Sequence, residues 1–286
     1  MNQYVKPLFD KCKDYLDPEF TEENFDKNTE EQPDRICELL FTEFMLDNLM
    51  KMPKNKVSSE GLDLRLEDIA RPGSNKKNGW AEFICPHHKQ DVKEHPYKDE
   101  DDFLSRITLA IQTKNEKIKS DIQKGLVKVI EPVIVCVNLD QILDEKRDLF
   151  LIAGVAGCLP SVLRTVYPIS EVKATINLTN PNKSKIGQNY QTYIRKIKPN
   201  KTEIKTEIEI EIPTDVFLKS DYSQISAVLF NYSKFNNNFI LVHNYYAKNP
   251  IKRKMFKNCN EFVANIFNDR EKTVLQLKQI NYKYNR

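Results

Sequence analysis

The sequence predicts an α/β protein built on a mixed sheet. Three observations carry that expectation: helical apolar periodicity over residues 35–51 and 103–122, period-2 alternation over 61–66, 80–85 and 202–212, and an unbroken apolar run at 132–138. The order helix, hairpin, helix, buried strand is what a layered α/β arrangement gives, because each one-sided element must bury its apolar face against another. At 286 residues the chain is long enough to enclose one sizeable core.

Residues 35–51 place Ile36, Leu39, Leu40, Glu43, Asp47 and Met50 at helical spacing, so an amphipathic helix is expected with Glu43 on its inward edge. In GLDLRL (61–66), alternation puts Leu62, Leu64 and Leu66 on one face and Asp63 and Arg65 on the other. In WAEFIC (80–85), Trp80, Glu82 and Ile84 share a face. Residues 67–79, rich in Lys, Asn, Gly and Pro, read as the link of an antiparallel hairpin. After a polar stretch at 86–101, Phe103, Ile107, Ala110, Ile111, Ile118 and Ile122 recur at helical spacing, and Lys114 lies inside that apolar stripe. PVIVCVN at 132–138 reads as a central strand covered on both faces.

The second half holds an apolar segment at 149–163, a strand at 172–178, and TEIKTEIEIEI at 202–212, whose Ile204, Ile208, Ile210 and Ile212 alternate with charges. Two further strands are expected at 225–230 and 239–243, joined through the asparagines at 236–238. The basic, aromatic C-terminal residues read as helical in part. Three regions follow: an acidic N-terminal segment (1–34), an α/β core (35–180) and a basic, β-rich C-terminal extension packed on it (181–286).

With 44 basic and 41 acidic side chains the net charge is only +3, so charge distribution is more informative than its sum. Residues 10–34 are acidic, whereas no acid occurs between Glu171 and Glu203, a stretch holding Lys185, Arg195, Lys196 and Lys198 with Tyr190 and Tyr193. A second basic cluster is Lys252, Arg253, Lys254 and Lys257. Basic groups neutralise phosphates and tyrosines stack on unpaired bases, so these stretches read either as nucleic-acid contacts or as solvated surface.

The six cysteines are scattered without a C-x-x-C pair, and several sit in apolar segments, where a free thiol packs as a small hydrophobe. A reduced, cytoplasmic setting is expected, since neither a Sec-type leader nor a membrane-spanning apolar tract is visible. His87, His88 and His95 follow Cys85 as C-x-H-H-x6-H, which matches no standard zinc spacing and reads as a solvated loop. His243 ends an apolar run and reads as a strand-end histidine satisfied by a hydrogen bond. The chain has no G-x-x-x-x-G-K-[ST] loop, no G-x-G-x-x-G fingerprint and no G-x-S-x-G elbow, which argues against nucleotide-cradling and serine-hydrolase classes.

Two acids on neighbouring strands, Asp63 and Glu82, are the sharpest chemical signal, because Glu82 shares its face with Trp80 and Ile84 and is costly there without a partner. An acid-bearing helix, a strand with Asp, a strand with Glu, a helix and a buried strand together resemble the core of the PD-(D/E)XK, restriction-endonuclease-like nuclease superfamily. More closely, GLDL, GWAEFICP, SRITLAIQTKNEKI, EPVIVCVN and HNYYAKNP resemble a bacterial group of such proteins over roughly residues 35–250. That resemblance implies a restriction-endonuclease-like core and a metal-dependent nuclease acting on nucleic acid. Asp63 and Glu82 would hold Mg2+ or Mn2+ with Glu43 assisting, since hard oxygen ligands suit these ions.

The superfamily lysine lies two residues after the Glu, where this chain has Ile84. Lys114 is the expected substitute, with Arg106 and Gln112 on the same helix as further candidates; the alternative is that Lys114 packs its stem on the core and extends to water. If the lysine is not replaced, the implied protein is catalytically inactive, a binding module for nucleic acid or for a protein partner met through the acidic N-terminal segment.

Overall fold

The computed structural model describes residues 1, 3–54, 61–73, 78–86, 100–140, 161–167, 169–175, 185–190, 194–197, 210–213, 216–231, 239–269 and 272–281. The helices are α1 (Val5–Cys12), α2 (Glu22–Lys27), α3 (Gln32–Asp47) and α4 (Glu100–Gln123). A seven-stranded mixed sheet joins β1 (Leu64–Leu66), β2 (Gly79–Ile84), β3 (Val133–Asn138), β8 (Ile225–Asn231), β9 (Phe239–His243), β10 (Cys259–Asp269) and β11 (Lys272–Asn281), in that spatial order. Two small antiparallel pairs stand apart: β4 (Ile169–Thr175) with β5 (Lys185–Tyr190), and β6 (Ile194–Ile197) with β7 (Ile210–Pro213).

The expected hairpin forms, with Leu64 opposite Ala81 and Leu66 opposite Gly79 in antiparallel register. Gly79 has no room for a side chain: a Cβ there would overlap Pro132 O and meet Ile69 Cδ1 at 2.6 Å. Strand β2 then runs parallel to β3, and α4 is the crossover between them in the chain. All six residues of β3 are buried, and the strand is parallel to a neighbour on each side, as its unbroken apolar run predicts.

Two apolar cores flank the sheet. On one face, Trp80 and Ile84 of β2 join Ile107, Ile111 and Ile118 of α4, with Val133, Val135 and Val137 of β3. On the other, Ala81, Phe83 and Cys85 meet Cys37, Phe41, Phe44 and Met45 of α3. Phe41 stacks on Phe83 with ring centroids 5.6 Å apart, and Phe44 packs on Phe239 and Phe256. A third cluster, from Val5, Phe9 and Cys12 of α1 with Phe20, Phe25 and Leu39, closes the outer side of α3.

Three expectations need correction. The β1 side chains do not share one face with Leu62: the strand starts at Leu64, and Leu62 packs in the α4-side core while Leu64 and Leu66 enter the α3-side core. The inward edge of α3 is Cys37, Phe41, Phe44 and Met45, because α1 covers its opposite side and apolar residues are needed on both. The C-terminal region is a long antiparallel hairpin, β10–β11, in place of partial helix; Leu275 and Leu277 are buried while Gln276 and Lys278 are exposed, the period of a strand.

Strands β8 and β9 pair antiparallel as expected. The sheet takes strands from both sides of the 180/181 boundary, since β8 lies directly against β3. The strand expected at 172–178 is described as β4, and only residues 210–213 of the 202–212 strand are described, as β7. Most of the apolar segment 149–163, the loop histidines His87, His88 and His95, and the turn at 236–238 lie outside the described residues. The five described cysteines, Cys12, Cys37, Cys85, Cys136 and Cys259, are free and buried. Among the described residues no helix is long and apolar enough to cross a membrane.

Candidate functional site

Glu82 sits in the middle of β2 with its side chain wholly buried. Strand alternation that seats Trp80 and Ile84 in the α4-side core forces Glu82 toward the same helix. A carboxylate there needs counter-charge, and α4 supplies it twice. Lys114 Nζ and Lys117 Nζ each donate to Glu82 Oε1 at 2.6 Å. The two lysines are three apart on the helix, so their side chains rise from one face, one turn after the other. The second oxygen, Oε2, is buried and has no hydrogen-bond partner among the described residues.

Asp63 lies just before β1 and is fixed by the backbone of the neighbouring strand: Phe83 N–H donates to Oδ2 at 2.6 Å. Its other oxygen, Oδ1, lies 3.9 Å from Lys117 Nζ. Lys117 therefore spans the two carboxylates, with its side chain 39% exposed against 19% for Lys114. Burial raises the Glu82 pKa and the nearby Asp63 charge raises it further, while the two ammonium groups offset part of that. Burial acts to lower the Lys117 pKa, but the charges of Asp63 and Glu82 outweigh it and hold the group above its ordinary value.

A cleft of about 600 Å³ opens beside these groups between α3, the end of β2 and α4. Asp63, Ile84 and Lys114 line it, and α3 contributes Glu31, Asp34, Arg35 and Glu38. Arg35 Nη1 donates to both oxygens of Glu38 at 3.3 Å. The cleft is at the carboxyl end of β2, the position where open α/β sheets gather their sites.

The structure thus brings Asp63, Glu82 and Lys114 together. It does not bring Glu43 to them: Glu43 and Asp47, one turn apart on α3, both face Lys11 of α1 at 3.0 and 2.7 Å. Asp34 and Glu38 are the α3 acids at the cleft, because the helix is rotated relative to the expected phase. Sequence reasoning also passed over Lys117, although its spacing from Lys114 was a usable signal.

Arg106 and Gln112 lie half-buried on α4. Lys185 opens β5, and Arg195 and Lys196 lie on β6, which runs beside α4; Lys198 lies outside the described residues. In the second basic cluster, Lys252 pairs with Asp68 at 2.6 Å, and the Lys254 backbone N–H donates to Glu261. His243 is satisfied as expected, its Nε2 2.7 Å from buried Glu261 Oε1. Several acids of the N-terminal segment are paired, Asp10 and Glu22 with Lys6 and Glu23 with Lys27 inside the segment, and Asp14 with Lys54 beyond it.

Among the described residues no group of three or more His, Cys, Asp or Glu is placed to hold a metal ion. Two carboxylates, Asp63 and Glu82, are nevertheless close enough to share Lys117. No protein-family model, curated protein or solved structure matches this chain.

Proposed function

We propose that this chain is a metal-dependent nuclease that hydrolyses phosphodiester bonds in nucleic acid. The observation that carries the reading is the convergence of Asp63, Glu82 and Lys114 beside an open cleft, with the lysine delivered from α4. Asp63 and Glu82 would hold Mg2+ or Mn2+. Their donors are hard oxygens, and the buried Glu82 Oε2, which has no hydrogen-bond partner among the described residues, is an acceptor that a hard cation satisfies. With two protein carboxylates, the rest of the coordination falls to water and substrate oxygens, as is common for magnesium. Such an ion supplies a more acidic attacking water and offsets charge gathering on the phosphate.

The chain's own residues have distinct parts in this reading. Phe83 N–H fixes the Asp63 carboxylate, so its other oxygen, Oδ1, is oriented before substrate arrives. Lys114 takes the role of the strand lysine whose position holds Ile84, presenting an ammonium to water and to the phosphate. Glu38, with Asp34, lies at the cleft wall where Glu43 was expected. Arg106, Gln112, Lys185, Arg195, Lys196 and Lys198 would contact the nucleic-acid backbone; β6 running beside α4 supports this role for Arg195 and Lys196.

A second reading, an inactive nuclease-like fold that binds nucleic acid or protein, is favoured by Ile84 at the cleft wall and by the engagement of both ammonium groups with Glu82. One experiment separates the two. In a Mg2+ cleavage assay on mixed DNA and RNA, Asp63→Asn and Glu82→Gln are each expected to lower the rate about 100-fold or more while leaving the circular-dichroism spectrum unchanged. Cleavage retained in both variants removes the nuclease assignment. A wild type that neither binds metal nor cleaves leaves the binding reading.

A further inference from the structure

The two carboxylates of the candidate site already share a cation of the chain's own. Lys117 Nζ is 2.6 Å from Glu82 Oε1 and 3.9 Å from Asp63 Oδ1, bridging the pair a divalent ion would bridge. Lys114 does not bridge: among the described residues its ammonium pairs with Glu82 and not with Asp63, and it is the more buried of the two lysines. A lysine stem has four methylenes, so its ammonium can swing several ångströms without any backbone movement. Lys117 has somewhere to go, because its side chain is 39% exposed.

We propose that Lys117 is an internal latch occupying the divalent-cation position between Asp63 and Glu82, so that metal is taken up by exchange with its ammonium. The inference rests on the metal-site reading above and adds a regulation to it. Removing one ammonium from Glu82 leaves the other, Lys114, in place, so the exchange does not strand a buried charge. The apparent metal affinity is then the intrinsic affinity reduced by the fraction of time the latch is open.

The test is Mn2+ titration by calorimetry on the full chain, in wild type, Lys117→Gln, Lys117→Met, Lys119→Gln and Asp63→Asn. Lys117→Met keeps most of the aliphatic stem against the helix and serves if the Gln variant is poorly folded. Lys119 is the control for net charge, since it lies on the same helix but pairs with Glu116 and Asp221. Both Lys117 variants are expected to bind Mn2+ about tenfold more tightly than wild type, the factor that follows if the latch is closed nine-tenths of the time. Lys119→Gln is expected to match wild type.

Equal affinity in wild type and in the folded Lys117 variants overturns the latch. So does an equal gain in Lys119→Gln, which assigns the effect to diffuse charge. If wild type binds Mn2+ through Asp63 and the Lys117 variants bind no better, the latch fails and the metal site stands. If neither wild type nor any Lys117 variant binds, both fail.

Discussion

Glu131 shows how one carboxylate ties three segments together ahead of the site. It accepts both nitrogens of Arg65 at 3.0 and 2.8 Å, Trp80 Nε1–H at 2.8 Å and the Lys128 backbone N–H at 3.2 Å, while Arg65 lies over the Trp80 ring. Burial pushes its pKa up, but these hydrogen bonds and the Arg65 charge outweigh burial and hold it below the ordinary 4.5. The native state therefore gains stability from Glu131 above pH 4.5 and loses it as pH falls through the depressed folded value. Glu131→Ala is expected to cost about 3 kcal/mol in urea melts at pH 7, with a smaller difference from wild type at pH 3. An unchanged gap between the two pH values would remove the charged contribution.

At the same scale, Glu82 and Lys114 were legible in the sequence, because an acid and a lysine inside apolar stripes each need a partner and the strand–helix order allows them to meet. Lys117 was passed over although it lies on the face of Lys114, three residues on, and Glu38 lies one helical step from the stripe that pattern reading follows. A single apolar count cannot fix the rotation of α3 to better than that step when both sides of the helix are covered.

Among the elements, α3 packs on the sheet's second face. Phe44 is buried between Phe239 of β9 and Phe256, so it joins the helix to the C-terminal half of the sheet. Phe44→Ala is expected to cost about 3–5 kcal/mol, read by guanidinium denaturation, with Lys11→Ala on α1, which removes the ion pairs to Glu43 and Asp47 on the other side of α3, costing under about 1 kcal/mol. Comparable costs would mean that the α1 contact, and not the sheet, holds the helix. The elements read best from sequence were those with one dominant environment: β3, apolar throughout and buried throughout, and the β8–β9 pair. The β10–β11 hairpin was missed because its polar residues alternate with apolar ones only over short windows, and its lysines and asparagines mask the period.

For the molecule as a whole, the strand order decides what can fold alone. The sheet runs β1-β2-β3-β8-β9-β10-β11, so the central strand β3 has β2 on one side and a partner from the far end of the chain on the other. A fragment ending at residue 180 would expose one edge of β3, whose six residues are all buried in the full chain. That fragment is expected to lack a cooperative thermal transition, measured by near-UV circular dichroism, whereas the full chain melts as one unit. A sharp transition in the fragment would mean that the two halves are separable. Mixed α/β architecture was readable from the order of elements, but the closure of β3 against β8 was not, because no local pattern names a strand's distant neighbour.

The same closure has a consequence during synthesis. The Val133 backbone N–H is held by Ser226 Oγ, 93 residues later in the chain, and β3 has no β8 to pair with until that stretch has left the ribosome. At about 5–20 residues per second, the nascent chain carries an open hydrophobic strand edge for several seconds before its seat is filled. In that interval holding chaperones have a natural substrate, and slow translation downstream of β3 lengthens the exposure.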